Sequence, residues 1–338
     1  MLKYILLILM LNFSNGFAAS SINAIDQTDL IIDTDMGIDD SMAITYILLH
    51  KSIHIPFISI VADSNSSCKY ATENLARIIN TFANYSIPIA CGPSKPLVGN
   101  NSFPKSIIDD MDKHAGYNLP YVKVQIKYDA VEQLYRTLIN ESRPVNILSL
   151  APQTNLALLF DTHSDVIKKV KHIYSMGGAL KVLGNINAFD SRGIYKYSEW
   201  NIYIDPVAYK DVLKTLIPIT IIPLDITRLA IFDTKIYNKL GQHLNIPASK
   251  FVYGILNVEY KFLISKKWEF WDPMAAVIML HPELANCQTD KINIISNSNS
   301  HDNGRMIYDR KNGYPSIICY SLTSKEDFEN EFTSVITH

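Results

Sequence analysis

The chain has no excess of basic charge: 31 Lys and Arg stand against 33 Asp and Glu, a formal net charge of −2. Neutralising a phosphate backbone takes clustered cations, so a nucleic-acid partner is a poor expectation and a small, roughly neutral ligand fits better. Cysteine is scarce as well. Cys68, Cys91, Cys287 and Cys319 match no zinc spacing. One or two disulfides and free buried thiols are both compatible with them, and connectivity is not readable. No Cys follows the apolar run at residues 4–13, which speaks against a lipoprotein. No other run approaches the ~20 apolar residues of a membrane helix. Internal repeats, low-complexity tracts and linkers are also missing, although residues 297–303 form a polar loop.

What is present is 338 residues of which 48% are hydrophobic and 19% charged, enough for a large core and not the composition of a disordered chain. Lys3, the apolar residues 4–13 and the small residues of 16–20 read as an export signal. That predicts a signal peptide over 1–20 and a secreted or periplasmic location, and the absence of a linker leaves a single domain over 21–338. An uncleaved anchor or a buried first helix is the alternative.

Short β-branched runs alternate with helical patterns. Strands are expected over 30–33, 55–61, 87–90, 145–150, 172–176 and 218–224, with helices over 39–50, 69–83 and 155–160 and an irregular stretch reaching about 124. Apolar strands alternating with helices predict an α/β fold, doubly wound, with a mostly parallel central sheet and helices on both faces. Such sheets bind ligands outside the carboxyl ends of their strands. Those positions are rich in carboxylates and amides: Asp33, Asp35, Asp39 and Asp40 after the first strand, Asp63 and Asn65 after the second, Gln153, Thr154 and Asn155 after the 145–150 strand.

The run Asp33-Thr34-Asp35-Met36-Gly37-Ile38-Asp39-Asp40 is the densest of these, with Gly37 placed where a Cβ would hinder the turn. Asp39 and Asp40 alone could simply favour a helix N-terminus. Asp33 and Asp35 in the same turn need a further reason, because crowded carboxylates repel unless a cation neutralises them. Calcium, which takes about 6 to 8 oxygen ligands in a flexible shell, suits the set.

This octapeptide resembles the N-terminal signature of the nucleoside hydrolase family, the inosine-uridine preferring superfamily. Met36 stands where that family more often has Pro, a departure expected to be harmless. The resemblance continues through Thr154-Asn155, Met176-Gly177-Gly178, Glu199-Trp200-Asn201 up to Asp205-Pro206, and Trp271-Asp272. It implies a nucleoside hydrolase-like fold and a Ca2+ ion held by Asp35, Asp40, the backbone carbonyl of Thr154, and Asp272. It also implies ribose binding by Asp39, Asn65, Asn185, Glu199 and Asn201, with Asn187 competing with Asn185. Taken singly, Thr154 would be a helix cap, Asp272 a turn or helix-start residue, and each Asn a loop residue satisfying its own backbone. Asp33 is expected to support the turn without touching the ion.

By the same resemblance, Asp35 activates a metal-bound water against the N-glycosidic bond. Trp271 occupies the position where pyrimidine-cleaving and nonspecific members carry a His as general acid. Together with Trp200 it looks like the purine-specific inosine-adenosine-guanosine branch, in which stacking on the base replaces that acid. Phe103 is either the other face of the sandwich or core packing. Residues 260–270 are either a lid or an amphipathic helix with a solvated basic face. His114 and His281 read as surface or helix-end residues. The expectation is a purine ribonucleoside hydrolase for nucleoside salvage, a homodimer or homotetramer acting on a small-molecule substrate. The alternatives are a nonspecific or pyrimidine-cleaving hydrolase, a phosphatase using the Asp-x-Asp turn, and a nucleoside-binding protein without turnover.

Overall fold

In the computed structural model the described residues are 29–62, 64–186, 193–265 and 268–338, without the side chains of 262 and 263. The expected signal over 1–20 lies outside them, as do Asp63 and Asn187. The first half runs β1 (Leu30–Thr34), α1 (Ile38–Leu49), β2 (Ile58–Ile60), α2 (Cys68–Phe82), β3 (Ile89–Cys91), α3 (Lys105–His114), α4 (Ala130–Asn140), β4 (Val145–Ser149) and α5 (Thr154–Thr162). After β5 (Val170–Met176) come α6 (Trp200–Ile204), α7 (Pro206–Lys214), β6 (Ile219–Ile222), α8 (Leu224–Thr227), α9 (Thr234–Gly241), α10 (Pro247–Val258), α11 (Tyr260–Ile264) and α12 (Trp271–Leu280). The chain ends with β7 (Ala285–Ile294), β8 (Met306–Tyr308), β9 (Tyr314–Leu322) and α13 (Lys325–Thr337).

Among the described residues, nine strands share one sheet in the order β3-β2-β1-β4-β5-β6-β9-β7-β8. The first seven in that order pair in parallel, and β7 runs antiparallel to both β9 and β8. The expected α/β architecture is therefore present. Strand order reverses between β1 and β4, and a crevice opens at the carboxyl ends of such a pair.

Burial on both faces explains the unbroken apolar sequence of β1 and β4. Ile31 and Ile147 point into one core, while Ile32 and Leu148 point into the other. The two-residue period of a strand thus feeds two cores at once. Helices α1 and α12 pack on each other and are buried on nearly every side, as an apolar-all-round helix must be. Both begin at the carboxyl edge of the sheet, so their first turns face the crevice. The four cysteines form two disulfides, Cys68–Cys91 and Cys287–Cys319. Among the described residues no helix is long and apolar enough to cross a membrane.

Candidate active site

At the end of β1 the chain turns sharply into α1. Met36 sits at φ 58°, a left-handed conformation closed to proline, whose ring holds φ near about −65°. This turn therefore follows a path that proline could not take. Gly37 has φ −63°, so backbone freedom is not why glycine is needed. Space is the reason. A Cβ there would lie 2.6 Å from Asn65 Nδ2, 2.6 Å from Asp39 Oδ1 and 3.0 Å from Asp40 Oδ2. Three site side chains close over this one Cα.

Asp40 is fixed from two sides: Thr34 Oγ1 donates to its Oδ1, and the Gly37 N–H donates to its Oδ2 at 2.8 Å. Ser64 Oγ donates to Asp35 Oδ2 at 2.9 Å. Asp33 faces away from the cavity and accepts from Ser59 Oγ at 2.6 Å and Asn155 Nδ2 at 2.9 Å, the supporting position expected of it. Asp272 arrives in the first turn of α12, next to Asp40. Ligand oxygens of Asp39, Asp40 and Asp272 lie within 4.8 Å of one another. That is about twice a calcium–oxygen bond length, so one ion can touch all three. Asp39, expected among the ribose contacts, thus stands among the metal-type ligands.

The electrostatics favour the same conclusion. Burial, and then the charge of Asp40, push the Asp35 and Asp272 carboxyls well above the usual carboxylate range, and Asp39 to about 7. Burial raises Asp40 too. Buried carboxylates in mutual contact cannot all ionise without a counter-charge. The donor set is entirely oxygen, which fits a hard divalent cation. Asn65 Oδ1 is a buried acceptor with no hydrogen-bond partner, and it faces the same space.

The cavity measures about 620 Å³, within the range of small-molecule sites. Asp35, Asp39, Asp40, Asn65, Asn185, Glu199, Asn201 and Asp272 line it, together with Phe103, Trp200 and Trp271. Glu199 caps α6 by accepting from the Asn201 and Ile202 N–H groups, and it accepts from Gly178 N–H at 2.9 Å. Asn201 Nδ2 donates to the carbonyls of Leu150 and Met176 at the ends of β4 and β5. Asn185 Oδ1 accepts from the Trp200 N–H at 3.1 Å.

Thr154 is the predicted residue that does not line the cavity. Nor does its side chain cap a helix: α5 has Gln153 at its N-cap, and Thr154 Oγ1 donates to Asp205 Oδ2 at 2.8 Å. Asp205 also accepts from Leu97 N–H and caps α7, so it ties three segments together beneath the site. A sandwich with Phe103 opposite Trp200 is not available, because the two rings stack directly at 4.4 Å and 24°. A base between them would need about 7 Å, two van der Waals spacings. Phe103 instead packs with Trp200, Ile186 and Ile204 in a small core. Residues 260–270 do not form one amphipathic helix: α11 ends at Ile264, and Trp268 is buried with its carbonyl accepting from Phe232 N–H at 2.8 Å.

Several cavity residues escaped the sequence reading. Trp268 adds a third indole. Arg228 donates through Nε to Glu269 and through its Nη atoms to the carbonyls of Leu183 and Gly184, just before Asn185. Glu269 in turn accepts from Trp271 Nε1 at 3.0 Å. One guanidinium therefore steadies both the loop that leads to Asn185 and, through Glu269, the Trp271 indole. The only sequence signal was an Arg–Glu pair far apart in the chain, too common to single out.

A mostly parallel sheet with a carboxylate-floored crevice at its switch point is a frame that can hold a small polar ligand beside a cation. The chain belongs to the inosine-uridine preferring nucleoside hydrolase family, which it matches over residues 30–331. It is 30% identical over 267 residues to the pyrimidine-specific ribonucleoside hydrolase RihA of Escherichia coli O81 (strain ED1a), covering 75% of this chain and 80% of that protein. Its fold is shared with the inosine-uridine preferring nucleoside hydrolase of Bacillus anthracis (TM-score 0.80, 20% identity, 92% and 99% of the two chains). It is shared too with a purine-preferring ribonucleoside hydrolase from Gardnerella vaginalis (TM-score 0.74, 21% identity, 91% and 98%).

Proposed function

We propose that this chain hydrolyses the N-glycosidic bond of purine ribonucleosides to ribose and free base, in dependence on calcium. One observation carries the reading: the carboxylates of Asp35, Asp39, Asp40 and Asp272 converge on a cavity that also holds Asn65, Asn185, Glu199, Asn201 and three indoles. Asp35, Asp40, Asp272 and the Thr154 carbonyl would hold the ion, which when bound supplies Lewis acidity that lowers the pKa of an adjacent water. Asp35 is the general base and takes the proton of the attacking water, with Ser64 orienting its second oxygen. The neighbouring carboxylates stabilise positive charge as it develops on the sugar ring.

Asp39, Asn65, Asn185, Glu199 and Asn201 hold the ribose hydroxyls. Glu199 is already oriented by backbone N–H groups before any substrate arrives. Trp200, Trp271 and Trp268 make the base side aromatic, and no histidine stands among the described residues lining the cavity. Those two features support purine preference. The name of the 30% identical relatives favours a second reading, pyrimidine preference on the same chemistry.

The test is base release from inosine, adenosine, guanosine, uridine and cytidine, with and without a calcium chelator, by the wild type and Asp35→Ala. Expected are purine rates at least tenfold above pyrimidine rates, loss of activity in chelator, and a fall of about 10³-fold or more in the variant. Uridine cleaved as fast as inosine would refute the purine claim and leave the hydrolase standing; no release from any nucleoside would reject both. Export and assembly as a homodimer or homotetramer belong to the same proposal. The Lys3-led apolar run and the two disulfides support export, since such bonds persist in oxidising compartments.

A further inference from the structure

Helices α1 and α12 begin together at the carboxylate cluster, and they also end together. Their C-caps are His50 and His281. Glu331, in the middle of α13, reaches the same place. Ligand atoms of His50, His281 and Glu331 all lie within 4.8 Å of one another. We propose that these three side chains form a second metal site, separate from the nucleoside cavity, for a borderline divalent cation of the zinc type.

The arrangement around each ligand is what such a site requires. His50 Nδ1 lies 2.8 Å from the Tyr46 carbonyl, so it carries the hydrogen and leaves Nε2 as a lone-pair donor. His281 Nδ1 lies 3.1 Å from Glu283 Oε1, which leaves its Nε2 toward Glu331. Imidazoles that bind metals almost always give their other nitrogen to a carbonyl or carboxylate in this way. Tyr46 Oη donates to Glu331 Oε1 at 3.0 Å, holding the carboxylate in place. His281 Nε2 and Glu331 Oε1 are 3.3 Å apart, the edge of a tetrahedron with metal–ligand bonds of about 2.0–2.1 Å. Two imidazoles and a carboxylate are a zinc-type set, and water completes the shell.

The surroundings favour a cation as well. Two helix C-termini point at the site, and their carbonyl ends carry partial negative charge. Burial lowers the pKa of His50, which keeps its imidazole neutral and ready to ligate. The ion would clamp α1, α12 and α13 at the end opposite the nucleoside cavity. Without it, His281 hydrogen-bonded between Glu283 and Glu331 is the competing arrangement.

Zinc chloride titrated into the purified protein in excess calcium, followed by calorimetry, tests the site. Cobalt substitution adds a spectroscopic check through its visible bands. Expected are one zinc per chain and tetrahedral cobalt bands. His50→Gln and His281→Asn should each weaken zinc binding roughly tenfold or more, with circular dichroism confirming that both fold. Asp272→Asn should leave the zinc affinity unchanged while abolishing calcium-dependent base release. Zinc binding that survives both histidine substitutions, or no zinc bound by the folded wild type, overturns the proposal in favour of the metal-free hydrogen-bonded bridge. Either result leaves the nucleosidase reading untouched.

Discussion

Replacing Gly37 with alanine should separate activity from stability. The new Cβ would stand 2.6 Å from both Asn65 Nδ2 and Asp39 Oδ1, so each must retreat by about 0.8 Å to reach an ordinary contact near 3.4 Å. Both are the ends of side chains that can swing. The folding cost therefore falls at the low end of the roughly 1–3 kcal/mol typical of overpacking, a Tm loss of about 1–2 °C for a chain this long. Function has no such latitude. A displacement approaching 1 Å in a group that positions substrate can cost about 10²-fold in rate, some 2.7 kcal/mol of barrier. Steady-state kinetics in saturating calcium, beside a thermal melt, read both quantities. The expected pair is kcat/KM down about 100-fold with Tm nearly intact. A variant within threefold of wild-type kcat/KM, or one whose lost activity merely follows a collapse of Tm, would refute the claim that Gly37 is kept for the site's geometry.

Arg228→Ala removes the tether on the Leu183 and Gly184 carbonyls and the partner of Glu269. It should raise KM for nucleoside about tenfold, or 1.4 kcal/mol, with a smaller effect on kcat, and Lys should not rescue it because the fork is lost. Glu259 is pushed up to about 7 by burial and then by Asp110. Its folded-state proton is retained where the unfolded chain has already released one. The resulting stability is present below about pH 4.5 and is lost as pH rises through about 7. Allowing for solvent screening at a half-exposed site, denaturation across that window should show a slope worth about 1 kcal/mol that Glu259→Gln removes. Chelation should lower Tm by a few degrees, since a ligand at about a hundredfold its Kd adds roughly 2.7 kcal/mol. A Tm indifferent to calcium would argue against the carboxylate cluster as the ion's seat.

Much of the sheet was legible because its strands are buried on both faces and read as unbroken apolar runs. β1 and β4 were placed within a residue or two of their observed ends. The antiparallel end was not. In β7, Asn286, Gln288, Thr289 and Asp290 leave no apolar alternation to detect, because only the last residues of the strand enter the core. Helix α3 has no buried residue and passed for irregular chain. The site shows the same contrast. The carboxylates of residues 33–40 are contiguous and their residue types announced them, whereas Glu199 and Asp272 were placed only by the family resemblance. Trp268, Arg228 and Glu269 gain their places only from tertiary contacts, and the direct stacking of Phe103 on Trp200 could not be read from either residue alone. Only the side-chain reading of Thr154 changes: the hydroxyl that could have capped α5 is engaged by Asp205, which lies on another element.

The two strands at the margins of the sheet, β3 and β8, are only three residues long each. Exposed strand edges are templates on which another chain can add itself, and very short ones offer too little ladder for that. Long strands at those margins would make such a sheet an aggregation risk at high concentration. Here the longer strands are all interior, so copies of the chain that meet have helices and loops, and not backbone amides in register, with which to recognise one another.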